Sequence, residues 1–210
     1  LTVGHNYRDH RKVCIIDGYI GFTGGFNLAD EYINHKDRFG HWKDSGIMVS
    51  GNSAMGFAVM FLQMWCMDTK NFEYENYITP NSSQEIDFTG VVMPYSDCPL
   101  DKDKIGERVY VDMINRAENY INIMTPYLIL DNEMMSALEY AVKRGVEIII
   151  MTPHISDKIS AYMIARTYYI RLLKMGIKIY EYTPGFVHAK VFSSDDKKAV
   201  VGTINMDFRS

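Results

Sequence analysis

Residues 187–195 have the sequence "VHAKVFSSD", in which apolar side chains alternate with His188 and Lys190. Side chains two positions apart on a β-strand point to the same face, so this strand would carry an imidazole beside an ammonium group. The strands of a packed domain seldom use one face in this way, because buried polar groups need partners. The alternation therefore predicts a strand that presents a ligand-binding or catalytic site.

A second stretch, "DHRKVCIID" at residues 9–17, repeats this pattern near the start of the chain. Both stretches read His-x-Lys-x4-Asp, and each is followed by a turn of small residues and then by an asparagine at the same distance from the histidine. The repeated residues are His10, Lys12, Asp17 and Asn27 in the first copy and His188, Lys190, Asp195 and Asn205 in the second. A single His-x-Lys pair often arises by chance, whereas the whole register occurring twice indicates a duplicated functional unit.

The composition is that of an ordinary globular protein, and it limits the kinds of partner. Of the 210 residues, 47% are hydrophobic and 23% are charged, and the net charge is −4. This balance gives no global basic field of the kind that draws proteins to nucleic acid, so an anion site would be local. The three cysteines lack CxxC spacing, which argues against a zinc site or a disulfide framework and favours a reducing compartment. No run approaches the roughly 20 apolar residues of a membrane span.

The sequence pattern of the first part of the chain predicts short strands and one long helix. Residues 11–23 read as two strands joined at Asp17-Gly18, a dipeptide typical of hairpin turns. Further predicted elements are a helix at about 27–33, a strand at 46–51, and a helix at 52–69 with Ser53 as its N-cap. Residues 70–87 are polar and contain Pro80, so they are the predicted linker.

The second part of the chain alternates strands with helices. Strands are predicted at 91–95, 120–129, 146–153, 177–182, 187–194 and 198–204, and helices at about 103–118, 131–145 and 157–175. Asp131 is the predicted N-cap and Gly145 the predicted C-cap of the second of these helices. An almost continuously apolar strand at 146–153 is typical of a sheet covered on both sides. The sequence therefore predicts an α/β fold with a layered mixed sheet and helices on both faces.

The duplication predicts two homologous halves. Residues 1–69 would be the carboxy-terminal part of a first half, 70–87 the linker, and 88–210 a second half. The chain starts at Leu1 and stops directly behind the second motif, so we expect a longer protein in which the first half begins earlier and the second ends later.

The residue types of the repeat suit a phosphodiester substrate. Lysine is a good point charge for phosphate and a poor metal ligand at neutral pH, and asparagine adds a neutral donor. Two such sets facing each other would surround one phosphodiester with four donors and two imidazoles. One imidazole would attack phosphorus, and the other would protonate the leaving alcohol and then activate the acceptor. This chemistry requires no metal or other cofactor, since the lysines and asparagines can neutralise the oxyanion.

The duplicated motif resembles the phospholipase D superfamily. Within that superfamily, the stretches "NYRDHRKVCIIDGYIGFTGGFNLADEY", "TPYLILD", "GIKIYEYTPGFVHAKV" and "VGTINMDFRS" are similar to bacterial cardiolipin synthases of the phospholipase D type. The resemblance implies two homologous phospholipase D-like halves. It also implies an enzyme that joins two phosphatidylglycerol molecules into cardiolipin and releases glycerol, through a phosphohistidine intermediate.

Carried over by position, the resemblance implies roles for individual residues. His10 would be the nucleophile and His188 the general acid and base, although the sequence by itself is compatible with either order. The implied catalytic set is His10, Lys12, Asp17, His188, Lys190 and Asp195. The implied phosphate ligands are Lys12, Lys190, Asn27 and Asn205. Asp17 fits both a supporting role in catalysis and the turn of a hairpin.

Three further residues are implied to support the site. Glu31 fits the family's N-x-x-x-E pattern and would orient a histidine through its second ring nitrogen. Gly25 and Thr203 occupy the small-residue turns, and only Thr203 keeps the hydroxyl group that is common in the superfamily. Tyr127 is compatible with a core position and with the rim of a lipid groove. The histidines outside the repeat, His5, His35, His41 and His154, are predicted to lie on the surface or in loops.

The implied partners are an anionic phospholipid, phosphatidylglycerol, and a membrane surface, with no nucleic acid. The implied location is the bacterial cell membrane, with the catalytic part facing the cytoplasm. The alternative within the same chemistry is a phospholipase D-type phosphodiesterase that hydrolyses phospholipid or cleaves nucleic acid. A third alternative, a protein that only binds lipid or phosphate, is disfavoured because both motifs are complete.

Overall fold

The computed structural model describes residues 9–70, 74–78, 90–97 and 103–207. Within the chain there are two compact units: unit 1 comprises Leu1–Thr23 and Ile47–Ile105, and unit 2 comprises Gly24–Gly46 and Gly106–Ser210. The units interleave along the sequence, since a segment that follows the first motif belongs to unit 2. That the chain contains two homologous halves remains a prediction from the sequence. Most of the predicted linker at 70–87, together with His5 and Cys98, lies outside the described residues.

The described secondary structure alternates strands and helices. In chain order the strands are β1 (Val13–Ile16), β2 (Ile20–Gly24), β3 (His41–Lys43), β4 (Gly46–Ser50), β5 (Tyr120–Met124), β6 (Leu128–Ile129), β7 (Glu147–Pro153), β8 (Lys178–Tyr182), β9 (Gly185–Val187), β10 (Val191–Ser194), β11 (Lys198–Val201) and β12 (Met206–Asp207). The helices are α1 (Asn52–Thr69), α2 (Glu75–Ile78), α3 (Ile105–Arg116), α4 (Asn132–Lys143) and α5 (Ile159–Met175), with a short 3-10 helix at Asp30–Ile33. In the part of the chain that the structure describes, no helix has both the length and the hydropathy of a membrane span.

Unit 1 contains a three-stranded sheet in the order β1-β2-β4. The predicted hairpin is confirmed: β1 and β2 are antiparallel, and Asp17 and Gly18 have φ angles of 52° and 66°, as a type I′ turn requires. Helix α1 packs against the sheet through Ala54 and Phe57. The predicted N-cap Ser53 is wrong, because α1 already begins at Asn52 and its N-cap is Gly51, which has φ 75°.

Unit 2 is built on a five-stranded mixed sheet in the order β11-β10-β5-β7-β8. Strands β5, β7 and β8 are parallel, whereas β10 is antiparallel to both β5 and β11. Side chains of α3, α4 and α5 share one hydrophobic core with this sheet, including Ile114, Leu138, Leu172, Ile121 and Ile150. The predicted α/β class with a mixed sheet is therefore confirmed.

The ends of the helices in unit 2 follow local sequence signals. The Asp131 carboxylate accepts a 2.8 Å hydrogen bond from the backbone N–H of Met134, which confirms the predicted N-cap of α4. Gly145, with φ 90°, follows directly after the last turn of α4, and Gly176, with φ 99°, ends α5. Both glycines adopt the left-handed conformation that other residues disfavour at helix ends.

Two predicted elements, one in each part of the chain, are wrong in the structure. Residues 91–95 form no strand, because Pro94 lacks the N–H that a ladder needs and packs against Gly56 of α1. The predicted helix at 27–33 is reduced to the 3-10 helix at Asp30–Ile33, which ends at Asn34 in the left-handed conformation (φ 57°). Short runs of this kind depend on tertiary contacts more than on propensity.

The predicted single strand at 187–194 is also wrong, and the difference concerns the second motif. Strand β9 ends at Val187 and pairs in parallel with β3, whereas β10 begins at Val191 and belongs to the large sheet. The backbone N–H groups of His188 and Ala189 both donate to the carbonyl of Lys43, at 2.8 and 3.2 Å. The motif therefore lies where the chain passes from one sheet to another.

The two copies of the motif have the same local structure. Val13 faces Thr23 in the hairpin of the first copy, and Val191 faces Val201 at the corresponding position of the second. In each copy the lysine ammonium donates to the carbonyl oxygen of the motif histidine. Asp17 and Asp195, with φ 52° and 55°, both follow the first strand in the left-handed conformation. This agreement supports the proposed duplication.

Asp195 connects the second copy to the start of β5. Its carboxylate accepts hydrogen bonds from the backbone N–H groups of Glu118, Asn119 and Tyr120, at 2.8, 2.8 and 2.9 Å. Desolvation by itself would raise the pKa of this carboxyl group, but the backbone donors outweigh it and lower the pKa of Asp195 from 3.8 to about 2. Asp195 thus holds the turn after β10 in place.

Replacing Asp195 with asparagine should destabilise unit 2 by about 2 kcal/mol at neutral pH, because charge-assisted hydrogen bonds are lost. Since the folded pKa lies below the ordinary value of 3.8, the carboxylate stabilises the fold above about pH 4, and this contribution disappears as the pH falls towards 2. Denaturant unfolding of both proteins at several pH values measures the difference. Asp112→Asn, at an exposed ion pair with Arg116, is the control and should have little effect. A difference between wild type and Asp195→Asn that does not shrink below pH 4 would contradict this explanation.

Candidate active site

The structure assigns the predicted site residues to different units. His10, Lys12 and Asp17 lie in unit 1; Gly25, Asn27, Glu31, His188, Lys190, Asp195, Thr203 and Asn205 lie in unit 2. The turn and asparagine of the first copy thus belong to the same compact unit as the second motif. The expectation that both histidines face one phosphate remains a prediction.

His188 has a buried carboxylate partner, Asp44. The distance between His188 Nδ1 and Asp44 Oδ2 is 2.8 Å, and the side chains are only 10% and 6% exposed. Asp44 also accepts hydrogen bonds from the indole N–H of Trp42, at 3.3 Å, and from the backbone N–H of Ser45, at 2.9 Å. Because Asp44 acts as an acceptor in these contacts, Nδ1 of His188 carries the proton. The other ring nitrogen, Nε2, is then the atom that can exchange a proton or attack phosphorus.

Aromatic rings fix the orientation of the His188 imidazole. The ring centroids of Trp42, Tyr32 and Phe186 lie 5.3, 5.4 and 5.8 Å from it, and the Tyr32 ring meets it edge-on. Trp42 and Phe186 are buried and also contact each other. A side chain held by packing and by a hydrogen bond needs little reorganisation during a reaction, which is typical of catalytic groups.

Lys190 brings a positive charge close to His188. The side chain is 2% exposed, and its ammonium group donates to the carbonyl oxygen of His188. Burial in a low-dielectric surrounding strengthens the field of such a charge on a nearby anion. Within the described ranges, no three histidine, cysteine, aspartate or glutamate side chains are grouped so that they could hold a metal ion.

Asn27 and Tyr32 form a polar pair beside the histidine. The Asn27 amide donates to the Tyr32 hydroxyl oxygen. Burial, followed by the nearby carboxylates of Asp44 and Glu31, raises the pKa of Tyr32 above its ordinary value of 10, although the hydrogen bond from Asn27 opposes this shift. The Tyr32 hydroxyl therefore keeps its proton at neutral pH and can act as a donor.

The prediction that Glu31 orients a motif histidine stays a prediction. The Glu31 carboxylate lies 3.5 Å from the Arg38 guanidinium, and Asp44 takes the role of orienting His188. Sequence reasoning missed Asp44, Tyr32 and Trp42, because none of them belongs to the repeated motif. The only signal was their position in a loop segment rich in charged and aromatic residues.

Gly25 is required by its close contacts with this pair. A Cβ atom at this position would lie 2.1 Å from Asp44 Oδ1 and 2.9 Å from the carbonyl oxygen of His188. Thr203 and Asn205 are half-buried and lie between β11 and β12. The segment next to Asn205 is held in place by the Tyr110 hydroxyl, which donates to the Ile204 carbonyl at 3.0 Å.

Replacing Gly25 with alanine should lower catalysis by about 100-fold, because the added methyl group would displace Asp44 or the His188 backbone, and misplacement of about 1 Å has effects of this size. The matched control is Gly202→Ala in the second copy, where nothing lies within 4 Å of an added Cβ. Initial rates and thermal melting of both variants should be compared. Equal rates in the two variants would contradict the requirement for glycine at position 25.

Tyr127 lies at a half-buried position in unit 2. Its hydroxyl donates to Asp157 Oδ2 at 2.8 Å, and the Lys158 ammonium lies 5.4 Å from the centre of its ring. Burial, and then the hydrogen bond and the negative charge of Asp157, raise the pKa of Tyr127. Among the histidines outside the repeat, His35, His41 and His154 are exposed, which confirms the prediction for these three.

The chain is similar to several known proteins. Residues 110–210 match a family described as "Cardiolipin synthase, PLD-like domain". The whole chain is 55% identical to an uncharacterized protein of Streptococcus mutans and 37% identical to a cardiolipin synthase of Alkalihalophilus pseudofirmus, and it covers 45% and 42% of their lengths. The chain therefore spans less than half of these relatives.

A solved structure shows the same fold at low sequence identity. The crystal structure of phosphatidylserine synthase from Haemophilus influenzae aligns with 89% of this chain and 52% of its own, with a TM-score of 0.57 and 12% identity. At this identity the likeness concerns the fold alone.

Proposed function

Since residues 110–210 of this chain form a phospholipase D-like domain of the cardiolipin synthase family, we propose that the protein transfers phosphatidyl groups between phospholipid molecules. The proposed reaction converts two phosphatidylglycerol molecules into cardiolipin and glycerol. The observation that carries the proposal is the buried hydrogen bond between His188 Nδ1 and Asp44, beside Lys190.

In the proposed reaction, His188 transfers protons. In the first step, His10 attacks the phosphorus of one phosphatidylglycerol, and the bond to the glycerol oxygen breaks. His188 Nε2 gives its proton to that oxygen, and free glycerol leaves. In the second step, His188 takes the proton from a hydroxyl group of a second phosphatidylglycerol, whose oxygen attacks phosphorus and releases His10. Asp44 stabilises the positively charged imidazole that exists before each proton donation.

The proposed phosphate ligands neutralise the charge that develops on the phosphate oxygens. They are the four repeated residues Lys12, Lys190, Asn27 and Asn205. The buried position of Lys190 supports this role, because fixed charges in a site shielded from water stabilise a transition state more than solvated charges do. Tyr32 supplies a further donor next to Asn27.

The proposed partners are an anionic phospholipid and a membrane surface, and the proposed location is the bacterial cell membrane with the site facing the cytoplasm. The net charge of −4 and the family of the matching domain both favour lipid over nucleic acid as the substrate.

A product assay tests this function. Purified full-length protein, incubated with phosphatidylglycerol vesicles in the presence of a chelator, should yield cardiolipin and glycerol in equal amounts. Thin-layer chromatography and mass spectrometry identify the lipids, and an enzymatic assay measures glycerol. Formation of phosphatidic acid without cardiolipin would mean that water is the acceptor, and transfer to lipid would then be wrong.

A further inference from the structure

Helix α5 exposes a continuous apolar and basic face. Ala165 and Leu172 are buried on its inner side. The large aliphatic side chains on the outer side are Ile159, Met163, Ile164, Ile170 and Leu173, which are 76, 65, 44, 65 and 54% exposed. Residues spaced three and four apart share one side of a helix, so Met163, Ile170 and their neighbours form one stripe.

The charged side chains of α5 itself are all positive. Arg166, Arg171 and Lys174 are exposed beside the aliphatic residues, and no aspartate or glutamate occurs between Ile159 and Met175. This composition contrasts with the chain as a whole, whose net charge is −4.

The other helices of unit 2 have the pattern of charged residues that is typical of solvent-exposed helices. Helix α3 carries the exposed ion pair Asp112–Arg116, and α4 carries the exposed pair Glu139–Lys143, each at the i, i+4 spacing. Such pairs of opposite sign are usual on solvated helices. Helix α5 combines exposed aliphatic side chains with charged side chains that are all positive. This is the pattern of helices that lie in the interface of an anionic bilayer.

We propose that the outer face of α5 docks on the surface of an anionic phospholipid bilayer. The aliphatic side chains would enter the boundary between headgroups and acyl chains, while the three basic groups contact lipid phosphates. This inference rests on the proposed function, since it names the surface that places unit 2 next to its lipid substrate. Each basic residue near an anionic surface contributes a factor of about five to binding, so the three together contribute about 100-fold.

Photo-cross-linking tests this orientation in the full-length protein. Benzoylphenylalanine is introduced in place of Met163 or Ile170, and the protein is reconstituted in vesicles of equal phosphatidylglycerol and phosphatidylcholine. We expect lipid adducts at both positions after irradiation, and few when the probe replaces Tyr140, an exposed residue of α4. Adducts at 163 and 170 that are no more frequent than at 140, or that contain protein instead of lipid, would overturn the proposal.

Charge variants test the electrostatic part. The triple variant Arg166→Gln, Arg171→Gln, Lys174→Gln should shift the equilibrium between docked and undocked α5 by about 100-fold towards the undocked state, which lowers the yield of lipid adducts. The matched control is Lys143→Gln, Lys178→Gln, Lys197→Gln, three exposed lysines elsewhere in unit 2, and it should keep the wild-type yield. An equal loss in both triple variants would contradict a specific role of α5.

The readouts separate this inference from the proposed function. The yield of lipid adducts does not depend on catalytic turnover. Cardiolipin formation is measured separately in detergent micelles, where the triple variant of α5 should keep the wild-type rate. Adducts without cardiolipin would leave docking in place and refute the transfer reaction. Cardiolipin without adducts would refute docking alone.

Discussion

Replacing His188 with alanine should reduce phosphatidyl transfer by about 10⁴-fold, because the variant loses the group that protonates the departing glycerol and deprotonates the acceptor. The rate of cardiolipin formation from phosphatidylglycerol measures this loss. The matched control is His154→Ala, which also removes a histidine paired with a carboxylate, Glu181, but at an exposed position outside the repeat. The control should keep the wild-type rate, and a similar loss in both variants would contradict a specific role of His188.

A substrate with a good leaving group distinguishes the two histidines. Nitrophenol needs no proton to leave, so His188→Ala should still release about one equivalent of it from phosphatidyl-nitrophenol in a single turnover. His10→Ala should release none, because the attacking group is absent. The opposite result would exchange the roles of the two histidines, and full transfer activity in either variant would refute the two-histidine mechanism.

Replacing Asp44 with asparagine should lower kcat by about 100-fold or more while KM changes little. The amide lacks the negative charge that stabilises the imidazolium form of His188, and its NH₂ group can favour the wrong tautomer of the ring. Steady-state kinetics with phosphatidylglycerol measure this effect, and thermal melting shows whether unit 2 remains folded.

Asp37→Asn is the matched control for this variant. Asp37 lies in the same segment of unit 2 as Asp44, but its carboxylate accepts only a local hydrogen bond, from the backbone N–H of Gly40 at 2.9 Å, among the described contacts. We expect the wild-type kcat for the control. If Asp44→Asn had the wild-type kcat as well, the buried pair would be structural, and the role of His188 in proton transfer would lose its main support.

The parts of the fold that sequence predicted correctly depend on local chemistry. The hairpin at Asp17-Gly18 needs only two residues that tolerate positive φ, and the start of α4 needs only a carboxylate at Asp131. The α/β class follows from the alternation of apolar strands with amphipathic helices.

The incorrect predictions concern segments that distant residues determine. The strand at 187–194 is divided because Gly185–Val187 pairs with His41–Lys43, a partner far away in the sequence. The alternation of apolar and polar residues was visible in the sequence, but the passage of the chain from one sheet to another at His188 was not. In the same way, Pro94 packs against Gly56 and prevents the strand predicted at 91–95.

For the site, too, the sequence predicted residues that belong to a local motif and missed a contact between residues far apart in the chain. The duplication predicted His188, Lys190 and Asn27 as site residues without any structural knowledge. Asp44 is 144 positions away from His188 in the sequence. The residues around Asp44 give no sign that it differs from the other aspartates of the same segment. Only the fold brings Asp44 to the ring nitrogen of His188, which is why the sequence did not predict this contact.

We propose that the duplicated motif transfers phosphatidyl groups through a histidine. Trapping the covalent intermediate tests this mechanism. Full-length protein is mixed with phosphatidylglycerol that carries a radioactive phosphate, quenched in alkali during turnover, and mapped by mass spectrometry. We predict a phosphatidyl adduct on His10 that is stable in base and labile in acid. An adduct on a residue other than a motif histidine, or turnover with no adduct at any time point, would contradict the mechanism.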